Sequence, residues 1–234
     1  MKKYVCIVGV WLLGYGLQAQ PVGVANGVNN AMTLMQDVYG RPVLLKNETN
    51  IEGSAFFADE YLPAYLCILN NKRVFFNRVK LDLAQHKVMF SDSVGSVMEA
   101  VTLVHRLIFM LPEVADSTVF ELGYQPIDKQ TERSYYEVLV EGEVQLLRYA
   151  SIRVIEQQPY GSASLYKKYI NDNFYYLANK TTKAIVPMGS ANWLTVVPHA
   201  WQQQALAYER NNRLRWKQWK EVVRLVKYLN GLNR

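Results

Sequence analysis

Cysteine is almost missing from this chain: only Cys6 and Cys67 occur in 234 residues, so a disulfide scaffold is excluded and stability has to come from a packed core. Histidine is nearly as scarce. His86, His105 and His199 lie far apart and have no cysteine partners, so no metal site is expected. No Walker loop, GxGxxG, HExxH, CxxC or GxSxG occurs, which removes the common phosphate-binding, zinc-protease and hydrolase signatures and leaves no cofactor to expect. Beyond the first twenty residues no continuously apolar run approaches the roughly 18 residues of a spanning helix. Internal repeats and long linkers are also missing.

What is present is apolar and aromatic. Half of the residues are hydrophobic and 12% aromatic, against 20% charged, which suits a globular body and excludes a disordered tail. Met1-Lys2-Lys3 followed by uncharged Tyr4 to Leu17 has the form of a secretory leader, and small Ala19 before Gln20-Pro21 marks the expected cut. An uncleaved N-terminal anchor is the alternative. Cys6 sits inside the apolar run, where it does not serve as a lipidation site. The expected organisation is a leader at 1–20, a loose arm at 21–41, an antiparallel β-domain at 42–190 and a helical segment at 191–234.

Charge is unevenly placed. Residues 209–234 hold Arg210, Arg213, Arg215, Lys217, Lys220, Arg224, Lys227 and Arg234 against only Glu209 and Glu221, whereas residues 21–208 are close to neutral. On a helix running from an Asn211-Asn212 cap to an Asn230-Gly231 stop, Arg213, Lys217, Lys220, Arg224 and Lys227 share one stripe roughly 80° wide. Trp216, Trp219, Val222, Leu225, Val226 and Leu229 fill the opposite arc. This stripe is the candidate interaction surface. Its expected partner is an envelope protein or another acidic surface. Export argues against nucleic acid, and membrane contact is expected to be peripheral at most.

Short runs rich in branched and aromatic residues predict strands at Pro42–Lys46, Ser54–Phe57, Tyr65–Leu69, Arg73–Leu83, Val88–Phe90, Val97–Val104, Arg106–Leu111, Val119–Leu122, Tyr135–Val140, Glu143–Tyr149, Ser151–Glu156, Phe174–Leu177 and Ala184–Val186, with a helix over Met98–Leu111 as the alternative to the two strands there. Arg73–Leu83 alternates, but its phase slips near Asn77-Arg78, which predicts a bulge. Glu141-Gly142 predicts a hairpin turn, and Pro198 a helix start. The fold expected is mainly β, an antiparallel barrel or sandwich, with a C-terminal helical cap, hence α+β as a whole.

Candidate catalytic groups are few. Asp59-Glu60, Glu137, Glu141 and Glu143 are the candidate carboxylates for glycan hydrolysis, but neighbours on a strand point to opposite faces and the residues beside a turn glycine are expected to be solvated. None is assigned a catalytic role. Cys67, within Ala64–Leu69, is expected to be a small buried hydrophobe. His86 and His199 are expected at the surface, and His105 in the core or at a strand edge.

Glu52-Gly53-Ser54-Ala55-Phe56-Phe57, Arg73 to Asp82, Tyr135 to Leu147, Tyr175-Tyr176-Leu177 and the terminal Leu225 to Leu232 together resemble a group of secreted, functionally uncharacterised β-rich proteins of Gram-negative bacteria. The resemblance extends over residues 42–234. It implies export and a shared fold, with no chemistry attached. The function expected from these readings is a non-enzymatic, exported binding or structural component of the cell envelope, periplasmic, outer-membrane-associated or secreted. A hydrolase of an exported carbohydrate or peptide and a peripheral membrane-surface protein are the alternatives.

Overall fold

The computed structural model describes residues 51–68, 72–91, 96–111, 117–157 and 166–232, together with the backbone at 35–36 and 42–43. The contacts divide the chain into two units, residues 1–47 and 48–234. In the first, β1 (Met35–Gln36) pairs antiparallel with β2 (Pro42–Val43), so the predicted strand at Pro42 forms a two-stranded sheet of its own. The leader lies outside the described residues.

The second unit is built on one large open sheet. Its strands are β3 (Ile51–Glu52), β4 (Leu62–Cys67), β5 (Arg73–Asp82), β6 (Lys87–Ser91), β7 (Val97–Glu99), β8 (Arg106–Met110), β9 (Ser117–Glu121), β10 (Tyr136–Val140), β11 (Val144–Gln157), β12 (Tyr166–Asn179) and β13 (Ile185–Pro187). Along the sheet the order is β13-β12-β11-β10-β9-β8-β4-β5-β6-β7, with β3 alongside β12 in the one parallel pairing among the described residues. Two antiparallel meanders, β4 to β7 and β8 to β13, therefore meet at the β4–β8 seam. Residues 100–105 carry the chain back from the far edge to that seam, tied by Ala100 N–H to Val88 O and His105 N–H to Cys67 O.

The sheet bends far enough for the β5–β6 turn to reach Tyr149 on β11, where His86 Nε2 stands 3.2 Å from the Tyr149 hydroxyl. Its ends, β7 and β13, are not paired with each other among the described residues, so the barrel expectation resolves into an open, curled sheet. Ser54–Phe57 is not the predicted strand; it follows an irregular path, held by Phe57 N–H to Leu81 O and by a single bridge from Phe56 to Asp82. Val97–Val104 is a strand only to Glu99. The two strands predicted at 143–149 and 151–156 are one continuous strand from Val144, and its partner β12 runs 14 residues rather than the four predicted.

Three apolar clusters hold this unit together. On the concave side, Ala64, Leu66, Val79, Leu81, Leu107, Phe109 and Phe120 gather under Phe57. Val140, Val144, Leu146 and Leu177 are covered by the C-terminal helices. The third cluster, with Tyr124, Tyr136, Leu147 and Tyr176, lies under the 122–135 loop on the other side of the sheet.

A 3-10 turn, Trp193–Val196, precedes Pro198, and further helical structure opens just after that proline, as predicted. A short 3-10 turn, His199–Trp201, runs into α1 (Gln202–Asn211), and α2 (Trp219–Gly231) follows. The basic helix expected from the Asn211-Asn212 cap to Asn230 therefore begins only at Trp219, and residues 213–218 form an irregular connection. Asn212 ends α1, its backbone N–H and its side-chain amide both donating to Tyr208 O, and Arg213 turns left-handed at φ +47°. Trp216 then leaves the helical path to pack on Trp193 at 5.0 Å and donate its indole N–H to Glu209. Four residues of α2, Val222, Leu225, Val226 and Leu229, are fully buried against the sheet. Burial of a Leu or Val side chain contributes about 1.5–3 kcal/mol, so this face fixes the helix firmly.

Candidate interaction surfaces

The five cations of the predicted stripe fall into two groups. Lys220, Arg224 and Lys227 stand on α2, exposed, on the side opposite its buried residues, as the periodicity required. Arg213 and Lys217 are also exposed but lie in the connection between α1 and α2, so the structure does not bring all five onto one helical face. None of the five forms an ion pair among the described residues. The acids nearby are committed elsewhere: Glu221 accepts the Arg215 backbone N–H at 2.9 Å and its Nε at 2.7 Å, and this contact holds the Glu221 carboxyl below the usual carboxylate range. A carboxylate in the first turn also suits the positive end of α2.

A cleft of about 490 Å³ opens on the convex side of the β4–β8–β9 seam, lined by Cys67, Arg73, His105, Arg106, Glu121 and Lys183. Arg106 reaches Glu121 at 3.2 Å and Glu141 at 2.7 Å, Lys180 adds a contact to Glu141 at 3.3 Å, and Lys183 pairs with Glu121. The Arg106 guanidinium holds the Glu141 carboxyl below its ordinary range. General acid work in glycan hydrolysis calls for a raised carboxyl, so Glu141 is placed for an ion-pair network rather than for proton donation. Cys67 is half-buried at this cleft and not the core hydrophobe expected, because its strand position faces Arg73 and Arg106 across the register.

The other candidate carboxylates are likewise engaged or exposed. Glu137 pairs with Arg148, whose Nε is 2.7 Å away, in a part-buried contact; Glu143 accepts from the Thr181 hydroxyl at 3.1 Å; Asp59 and Glu60 are exposed. His199 is exposed as expected. His86 is not a surface group. It sits left-handed at φ +54°, accepts the Tyr135 backbone N–H on Nδ1 at 3.3 Å, and so presents a protonated Nε2 to Tyr149. Burial pushes its pKa below the ordinary value, against a smaller opposing pull from Asp82. Among the described residues no three His, Cys, Asp or Glu side chains gather as metal ligands. No helix there is long and apolar enough to cross a membrane.

One surface escaped the sequence reading. On the exposed side of β4 and β5, the Arg73 guanidinium lies 3.7 Å from the centre of the Tyr65 ring, Arg78 lies 5.2 Å from Tyr61, and Lys80 Nζ lies 4.9 Å from both Tyr61 and Phe56. The available signal was the alternation of Arg73, Phe75, Arg78 and Lys80 about the bulge. What the sequence did not carry was the strand pairing that sets Tyr61 and Tyr65 beneath them. No protein-family model, curated protein or solved structure matches the chain.

Proposed function

We propose that the protein is an exported, non-enzymatic component of the bacterial cell envelope that binds an acidic protein surface through its basic C-terminal region. The observation carrying this reading is the arrangement of α2: its apolar side is fully buried, while Lys220, Arg224 and Lys227 are exposed and have no ion-pair partner among the described residues. A helix so fixed presents charge in a constant geometry, which favours steering and register with a complementary acidic patch. Insertion into lipid is disfavoured, because an interfacial helix buries its apolar face in the membrane and here that face is already covered. The hydrolase reading is weakened by the ion pairs at Glu137 and Glu141. Export rests on the leader-like N-terminus and on the resemblance to secreted β-rich proteins.

The test is affinity capture from detergent-solubilised native envelope, using the wild-type chain and a Lys220→Glu, Arg224→Glu, Lys227→Glu variant as parallel baits. The expected result is a partner with an acidic surface that is held by the first, lost by the second and released from the first by salt. The same partner on both baits, or none on either, overturns the reading. Fractionation of cells that produce the full chain tests export independently.

A further inference from the structure

The β4–β5 surface has the parts of a second binding site, one that the C-terminal cations do not account for. The bulge creates it. Leu62 pairs with Val79 but Ala64 with Phe76, so one extra residue lies between them on β5, at Asn77-Arg78. Before the bulge Arg73 and Phe75 point outward; after it Val79 and Leu81 are buried, which turns Arg78 and Lys80 to the same exposed side. A regular strand would have sent Lys80 into the core.

The three cations are held by rings instead of acids. Tyr65 supports Arg73, Tyr61 supports Arg78, and Tyr61 with Phe56 supports Lys80; none of the three has a carboxylate partner among the described residues. A ring engages the face of a guanidinium and leaves its in-plane N–H donors available for the bidentate hydrogen bonds that carboxylates and phosphates accept. Between the cations stands Phe75, 45% exposed, its ring 5.0 Å from that of Tyr65. Cation, ring and cation thus succeed one another along about 20 Å of an open sheet.

We propose that this face binds an acidic polysaccharide, whose carboxylates meet Arg73, Arg78 and Lys80 and whose sugar rings lie on Phe75. Both halves of that chemistry appear on the surface: pre-oriented charge for the anions, and an uncovered aromatic plane between them for the ring that links one anion to the next. The choice of a glycan over a nucleic acid, which has the same alternation of charge and ring, rests on the export reading above.

The test is calorimetric titration of the purified protein with polygalacturonate, with neutral dextran and with single-stranded poly(dT). Four proteins are compared: wild type; Arg73→Gln, Arg78→Gln, Lys80→Gln; Phe75→Ala; and Lys220→Gln, Arg224→Gln, Lys227→Gln. Polygalacturonate is expected to bind wild type, with loss of tenfold or more in the β5 triple variant and in Phe75→Ala, a change within twofold in the α2 variant, and no binding of dextran. A β5 triple variant that keeps its affinity within tenfold overturns the proposal, as does tighter binding of poly(dT) than of polygalacturonate. The α2 variant separates this surface from the C-terminal one, and purified protein makes the result independent of export. If the triple variant fails to fold, amide shifts during titration of wild type decide: shifts confined to β4 and β5 support the site, and shifts elsewhere overturn it.

Discussion

The side chain of Asn230, near the end of α2, occupies the space that a β-carbon on Gly142 would require, so the turn of the β10–β11 hairpin and the last turn of the final helix fit together only because residue 142 has no side chain. Asn230 uses this access fully. Its Oδ1 accepts the Val144 N–H at 3.1 Å, and its Nδ2 donates to Val144 O at 2.8 Å and to Glu141 O at 3.4 Å. The asparagine that looks like a helix stop is also the clamp between helix and sheet.

Gly142→Ala and Asn230→Ala are each expected to lower stability by about 1–3 kcal/mol, the first by displacing the amide and the second by leaving the Val144 groups unpaired. The double variant should cost clearly less than the two added together, because both break one contact. Urea unfolding of the four proteins measures this. Full additivity would show that the two residues act separately.

Tyr135 and Tyr136 are adjacent, buried and chemically identical, yet removal of their hydroxyls should have different outcomes. The Tyr135 hydroxyl donates to Val104 O at 2.6 Å, whereas that of Tyr136 has no partner among the described residues. Tyr135→Phe is expected to cost about 1–2 kcal/mol, and Tyr136→Phe to be neutral or stabilising, since it removes a desolvated group that gains nothing in return. Equal losses in chemical unfolding would contradict this pairing.

The parts of this fold that were legible in sequence are those set by neighbours. The phase slip at Asn77-Arg78 announced the bulge, and the Glu141-Gly142 turn between two runs rich in branched and aromatic residues announced the hairpin. The late start of α2 at Trp219 was hidden because the cationic period continues back through 213–218 by coincidence. What holds 213–218 off the helical path is distant, a site for Trp216 against Trp193, and no local preference encodes it. The cation and aromatic face was hidden for the same reason, since Tyr61 and Tyr65 meet Arg78 and Arg73 only once β4 and β5 are in register. His86 looked like an ordinary turn residue until the sheet's curl brought Tyr149 to it.

The two sides of α2 should separate cleanly in their effects on stability. Lys220→Glu, Arg224→Glu, Lys227→Glu alters only exposed groups and is expected to shift stability by less than about 1 kcal/mol, whereas Leu225→Ala empties a fully buried site and should cost about 2–5 kcal/mol. Thermal melts of both proteins check it. A large loss in the charge-reversed protein would mean that the cations serve the fold rather than a partner.

His86 makes stability depend on pH near neutrality. Its native pKa is held below the ordinary 6.5 chiefly by burial, so the neutral ring is the form that folds. Well above pH 6.5 the ring is neutral in both states and its full contribution is present. As the pH falls below 6.5 the unfolded chain takes up a proton that the native chain refuses, and stability declines until the pH passes the native value. Protonation of Nδ1 then also ends its acceptance of the Tyr135 N–H. His86→Asn removes the titration while keeping a residue that tolerates a left-handed backbone. Between pH 7 and pH 5 its stability should fall less steeply than that of wild type. The Glu141 carboxyl, held below its usual 4.5 by Arg106, loses its share only in a lower window, so it does not obscure the comparison. Urea midpoints at half-unit intervals of pH measure both slopes, and identical slopes would show that His86 does not carry the dependence.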